Sequence, residues 1–529
     1  MKITELIKEI DVWTEWQQSY ARFVPRFISN AIEHTKWQEW DEDVFREFFQ
    51  RSSGQCVSSI QQKYFDNEEQ QSIKEHWDEI APLLKKVAES QDTPLWNIYE
   101  KIKNTIRKYT KEDKRTATNR LIASLQPKLL CTIVQEQHLD KLYNLLVEFG
   151  VENTPIYKGD WFKKSHTIYR FICDSIENWD PYKTSTLSWQ IKEYLIEKEN
   201  KINEDKRTKK IAMEKLISLL QNNKNIILTG APGTGKTYLA KQIAQQLIFD
   251  EVKENFTDDE KKQFNEQCGF VQFHPSYDYT DFVEGLRPIQ DDNGNVGFER
   301  KDGVFKEFCI NALNDPNKKF VFIIDEINRG EISKIFGELF FSIDPGYRGE
   351  KGKVKTQYQN LVEAGNEFYD GFYVPENVYI IGTMNDIDRS VESMDFAMRR
   401  RFAFKEIKAE DRVDMLKENE KLSPHFVDIE KRMRNLNNSI LSIQGLGSAY
   451  QIGASYFLKL ENYLVNGQLE ESSWNDLWDN HISGLLFEYL RGTPNAAKVL
   501  GELKNAYMKP DDYKYDNDGK VVTKENANE

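Results

Sequence analysis

The 529-residue chain predicts an α/β domain on a central parallel sheet, preceded by a mostly helical region and followed by further helices. Two observations carry this reading. From residue 225 short apolar runs, at 226–229, 270–274, 320–325, 378–383 and 402–407, alternate with helical patterns at 236–249, 305–312 and 333–341. Continuous apolar runs between helices describe parallel strands covered on both faces. The first run leads directly into Gly230, Ala231, Pro232, Gly233, Thr234, Gly235, Lys236 and Thr237, with Tyr238 in the helix behind. This is the G-x-x-x-x-G-K-T spacing of a P-loop, in the strand–loop–helix setting it requires. Glycines let several backbone N–H groups converge on one anion, and the helix start adds its positive dipole end. Lys236 would reach the β- and γ-phosphates, and the Thr237 hydroxyl would hold Mg²⁺.

Upstream, residues 1–205 read as mostly helical. Leu139, Leu142, Leu145, Leu146 and Phe149 recur at helical spacing, and Gly150 is placed to close that helix. Nine of the eleven tryptophans lie in this half, as core anchors or as platforms for nucleic-acid bases. Its most basic window, 101–120, reads either as a solvated helix face or as a phosphate-contacting patch. A charged run at 204–215 has the character of a linker helix. The five cysteines are isolated, which fits buried thiols in a reducing compartment rather than a metal cluster. The net charge of −14 argues against a surface coated for DNA but leaves room for a local basic groove. The sequence offers no apolar run long enough for a membrane span and no signal-peptide core, so a cytoplasmic protein with no membrane partner is expected.

In the second half, the run 320–324 ends in Asp325 and Glu326. Downstream of a P-loop this is a Walker B arrangement, with Asp325 on the metal and Glu326 polarising the attacking water. The next strand ends in Thr383-Met384-Asn385, where an amide can help hold that water. Asp386 to Ser390 follow, and then Arg399, Arg400 and Arg401 precede the last strand. An Asn293-Gly294 pair marks a hairpin turn, either lining a pore or lying on the surface.

These residues carry a family resemblance. The block from 224 to about 490 resembles an AAA+ module, and more closely the McrB-type GTPases of modification-dependent, 5-methylcytosine-specific restriction systems. The stretches are GAPGTGKT (230–237), VQFHPSYDYTDFVEGLRP (271–288), DEINRGEISKIFGEL (325–339), VPENVYIIGTMNDIDRS (374–390), DFAMRRRFAF (395–404) and IGASYFL (452–458). MNDIDRS fits the family signature MNxxDRS. The resemblance implies a hexameric ring that hydrolyses GTP, with ATP as the alternative, and translocates double-stranded, methylated DNA for a separate McrC-like nuclease subunit. It implies a sensor role for Asn385, a place near the hydrolysis site for Asp388 and Arg389, and trans-acting roles for Arg399 and Arg400; spacing does not decide which of the three arginines is the finger. No nuclease constellation stands out in this chain. The expected division is a helical region for DNA or partner recognition at 1–205, a linker helix at 206–223, the α/β core at 224–408, a helical lid at 409–508 and a flexible tail at 509–529. The competing reading is a remodelling, chaperone-type AAA+ ATPase acting on a protein.

Overall fold

The structure, a computed structural model, describes residues 2–11, 13–57, 64–177, 179–253, 255–290, 296–387 and 396–510, together with the backbone of Lys514–Tyr515 and Val521–Val522. The chain divides into two compact units, Met1–Thr208 and Lys209–Glu529.

The first unit is helical. Its helix Glu136–Glu148 buries Leu139, Leu142, Leu145 and Leu146 completely. Gly150, at φ 62°, turns the chain out of it. Val151 N–H donates to Leu146 O at 2.9 Å and Gly150 N–H to Val147 O at 3.0 Å, so the last carbonyls are satisfied. Aromatic packing dominates the core: Trp40 and Trp77 meet edge to face at 5.4 Å, with Phe45 and Phe49 against both. Trp40, Trp77 and Trp161 are buried, which makes them core anchors. The basic window is largely tied up internally. Lys108 pairs with Glu79, Lys111 with Asp66 and Glu68, Lys114 with the buried Glu69, and Arg115 with Asp113. Arg120 is buried, and its Nη2 donates to Phe48 O at 2.7 Å.

The charged run 204–215 lies within one long helix, Leu187–Asn223. In the second unit the strands are β1 (Asn225–Thr229), β2 (Cys268–Gln272), β3 (Glu284–Gln290), β4 (Val296–Asp302), β5 (Phe320–Asp325), β6 (Val378–Thr383) and β7 (Ala403–Glu406). Five of them form a parallel sheet in the order β2-β5-β6-β1-β7. Side chains alternate across it. Ile226, Leu228, Val321, Ile323 and Ile381 pack on one face with Leu239, Ile243 and Leu247 of the helix Lys236–Phe249. Ile227, Phe322, Ile324 and Ile380 pack on the other with Phe305, Phe336 and Leu339. The expected α/β core is therefore present.

One local expectation shifts. The helix expected at 333–341 breaks into Ile332–Phe336 and Leu339–Ser342. Gly337 between them sits at φ 49°, with the Tyr279 ring 2.9 Å from where a Cβ would be. After β7, the helix Ala454–Leu458 is followed by a 3₁₀ turn, Lys459–Tyr463. The β3–β4 hairpin forms, antiparallel from Glu284↔Asp302 to Gln290↔Val296, while Asn293 and Gly294 lie outside the described residues. Helices after β7 share a separate core of Leu416, Leu436, Ile452, Phe457, Trp478 and Tyr507, among others. Among the described residues no helix is long and apolar enough to cross a membrane.

Candidate nucleotide site

The site lies at the carboxyl ends of three adjacent strands, where the ligand crevice of an open parallel sheet is found. β1 feeds the P-loop, β5 ends in Asp325 and β6 leads to Asn385; Leu228 is in register with Thr383, and Ile324 with Gly382. This sheet order brings together residues up to about 160 positions apart in sequence.

Three glycines shape the loop, at φ 139° (Gly230), 78° (Gly233) and 77° (Gly235), which side chains rarely adopt. A Cβ on Gly230 would also lie 2.2 Å from Ile407 O. Ala231 and Thr234 are buried, and Thr234 Oγ1 donates to Ala231 O at 3.0 Å. The Lys236 ammonium is folded over the loop and donates to Gly230 O at 3.0 Å and Ala231 O at 2.8 Å. Burial lowers its pKa to about 8, against the opposing pull of Glu326, Asp386 and Asp325. Neutral carbonyls thus hold a cation that an arriving phosphate would bind far better. Tyr238 is exposed, under the Arg412 guanidinium at 5.6 Å.

Thr237 Oγ1 donates to Asp325 Oδ1 at 2.6 Å, and Thr383 Oγ1 donates to the same oxygen at 2.6 Å. These hard oxygens fit Mg²⁺, which takes one or two protein ligands and completes its shell with phosphate and water. Among the described residues no group of three His, Cys, Asp or Glu is gathered for a metal. Glu326 stands in the left-handed region at φ 51°, a strained position for a residue with a side chain. Asn385 Nδ2 donates to its Oε1 at 2.8 Å, and Arg329 Nε lies 3.3 Å from its Oε2. Burial pushes the half-buried Asp386 carboxyl above its usual range.

The arginines separate. Arg401 is turned inward, its Nη1 donating to Ala397 O at 2.6 Å and its guanidinium 5.4 Å from the Phe340 ring. Arg399 and Arg400 are exposed, Arg399 lying over the Phe404 ring at 5.7 Å. Asp388 and Arg389 lie outside the described residues.

Sequence reasoning missed three contributors. Thr383 shares Asp325, and only its place one residue before Met384-Asn385 hinted at it. Arg329 follows the two carboxylates by one helical turn. The third is the loop before Ala454–Leu458: Gly453 N–H donates to Pro232 O and Ser455 N–H to Gly233 O, each at 3.0 Å. A Cβ on Gly453 would meet the Gly233 carbonyl carbon at 2.1 Å, so only glycine permits this approach.

Parallel sheet, P-loop and paired carboxylates define an AAA domain, a P-loop NTPase by fold. Residues 225–402 match the family model of the AAA domain (dynein-related subfamily), 428–498 that of the McrB alpha-helical lid domain, and 184–261 that of the IstB-like ATP binding protein. The chain is similar to the type IV methyl-directed restriction enzyme EcoKMcrB subunit of Escherichia coli K12, with 39% identity over 288 residues, 53% of this chain and 57% of that one. It is also similar to the type II restriction enzyme BsuMI component YdiS of Bacillus subtilis 168, at 28% identity over 317 residues, covering 54% of this chain and 82% of the relative. The match to the first of these spans little more than half its length. Residues 225–498 carry the AAA and lid domains of an McrB-type AAA+ protein.

Proposed function

We propose that this chain hydrolyses a nucleoside triphosphate, GTP in preference to ATP, in a ring of six copies that drives double-stranded DNA through a modification-dependent restriction complex. Strand cleavage falls to a separate McrC-like nuclease subunit. The observation that carries the hydrolytic part is the Glu326 carboxylate, held by the Asn385 amide beside the Asp325 oxygen that Thr237 and Thr383 share.

In this reading Lys236 leaves the loop carbonyls for the phosphates, while Thr237 and Asp325 hold Mg²⁺. The metal, when bound, neutralises charge on the β- and γ-phosphate oxygens. Glu326 accepts a hydrogen bond from the attacking water, and the Asn385 amide keeps the carboxylate and water aligned. Arg399 and Arg400, exposed on their own subunit, reach the nucleotide of the next. Asp388 and Arg389 belong to the same reading through the MNxxDRS signature. Recognition of methylated DNA falls to the first unit, where a cavity of about 580 Å³ is lined by Trp13, Trp16, Trp189 and Tyr20 together with Glu15, Glu193 and several hydroxyl side chains. Its aromatic side chains suit the faces of a base taken out of the stack, and its carboxylates and hydroxyls the base's polar edge.

Glu326→Gln keeps the shape and removes the base. Turnover should fall by about 10²–10⁴-fold, with nucleotide affinity retained, as read by steady-state hydrolysis beside fluorescent-nucleotide titration. Undiminished hydrolysis would remove Glu326 from its role. Turnover that ignores DNA and the nuclease subunit and rises only with a protein substrate would return the chain to the remodelling class.

A further inference from the structure

The side on which the nucleobase leaves the P-loop follows from where the phosphates end. The γ-phosphate end is marked by Asp325, Glu326 and Asn385, so the nucleoside leaves on the opposite side, past Gly235 and Tyr238. There a Cβ on Gly235 would be 2.9 Å from the Met415 methyl carbon. Beside Met415 stands Asp414. Its Oδ2 lies 2.5 Å from Lys209 Nζ, and Glu418 Oε1 is 3.3 Å from the same ammonium. The other oxygen, Oδ1, is buried and accepts no hydrogen bond. Arg412 Nε, 3.8 Å away and beyond hydrogen-bond range, is likewise buried without a partner, while Nη1 of the same guanidinium donates to Gln242 Oε1 at 2.9 Å and the group lies over the Tyr238 ring. A buried carboxylate oxygen without a donor is costly to leave so, and it marks a place where a ligand donor belongs.

We infer that the Lys209–Asp414 pair reads the hydrogen-bonding edge of the nucleobase and selects guanine over adenine. The inference rests on the triphosphate reading of the P-loop. Guanine presents an acceptor, O6, next to two donors, the N1–H and the N2 amine. An ammonium beside a carboxylate complements that order: Lys209 donates to O6, and Asp414 accepts from N1 and N2. Adenine reverses it, setting its N6 amine against the ammonium and its N1 lone pair against the carboxylate. The Met415 thioether supplies a polarisable contact for the ring face. P-loop, Thr237 and Asp325 touch only phosphate and metal, so base choice has to come from such a second set of groups.

The test uses the full chain and the four triphosphates of guanosine, adenosine, inosine and xanthosine, with binding read by displacement of a fluorescent nucleotide. The unaltered protein should bind inosine triphosphate about tenfold more weakly than GTP, because inosine lacks the N2 donor. Asp414→Asn should lower the GTP-to-ATP preference at least about tenfold and bind xanthosine triphosphate better than GTP, since the new amide can donate to xanthine O2. Equal affinity for GTP and inosine triphosphate in the unaltered protein overturns the inference, and so does an Asp414→Asn variant that keeps the original order of preference. An unaltered protein that binds GTP and ATP equally overturns it too while leaving the triphosphate reading standing. If no triphosphate binds the unaltered protein at all, the P-loop reading fails and the base-reading role falls with it.

Discussion

The basic window of the first unit and the P-loop site of the second treat charge differently. In the first, the cations of the basic window are matched by carboxylates of the same chain, and Lys114 and Glu69 form a buried pair with side-chain exposures of 12% and 1%. In the second, the Lys236 ammonium rests on two carbonyls, the Glu326 carboxylate takes the Asn385 amide on one oxygen with Arg329 Nε 3.3 Å from the other, and Arg399 and Arg400 are exposed. Charges matched by opposite charges at short range serve the fold. Charges held by neutral groups can be drawn off by a ligand that binds them better, and such perturbed groups gather at functional sites. The difference separates a helix face whose charges are matched within the fold from a site whose cation can change partners.

The comparison breaks most visibly at the arginines. Arg399→Ala or Arg400→Ala should lower turnover on the order of 10³-fold if that residue is the one acting in trans, with thermal stability unchanged. Arg401→Ala should do the reverse, since its guanidinium is packed on Phe340 and bonded to Ala397 O. The measurement pairs steady-state hydrolysis with thermal melting. It is sharpened by mixing each variant with Lys236→Ala subunits, because a finger supplied across the interface is rescued in mixed rings. Loss of activity from Arg401→Ala alone, at unchanged melting, would exchange the assignments.

Much of the second unit was legible because its constraints are local. A loop that must wrap a phosphate needs glycines at fixed offsets, and a strand that must present carboxylates ends in them, as at Gly230–Thr237 and Asp325-Glu326. What escaped were features set across space. Thr383 meets Asp325 only because β5 and β6 are neighbours. Gly337, at the helix break, packs against the Tyr279 ring, and Gly453 against the P-loop backbone. In the first unit the helix closed by Gly150 could be read from its own residues. The overall arrangement could not, since it depends on distant pairs such as Arg120 with Phe48 O and Trp40 with Trp77.

A smaller effect follows from the Lys236 ammonium, whose pKa burial lowers to about 8. The nucleotide-bound state requires the charged form, and phosphate oxygens in place of carbonyls stabilise it. Below about pH 8 the free protein already carries the proton, so affinity is insensitive to pH through this group. Above that value binding must take up a proton, and affinity should fall, approaching about tenfold per pH unit. Nucleotide titrations between pH 7 and 9.5 check this, and a flat profile would mean that Lys236 is not held by neutral partners in the free protein.

The smallest effects belong to the first unit, and there the prediction concerns stability without binding. Lys114→Met leaves Glu69 buried without its cation. Glu69 keeps two backbone donors, Lys111 N–H at 2.9 Å to Oε1 and Asp66 N–H at 2.9 Å to Oε2, which soften the loss. The expected cost is about 1–3 kcal/mol, read by chemical denaturation. Lys108→Ala and Lys111→Ala remove exposed partners and should leave the midpoint nearly unmoved. None of the three should alter DNA affinity or its salt dependence. A drop in the salt slope of about one per lysine removed would instead mean that the window contacts phosphates. Its carboxylate partners would then be resting contacts, exchanged for DNA as the Lys236 carbonyls are exchanged for nucleotide.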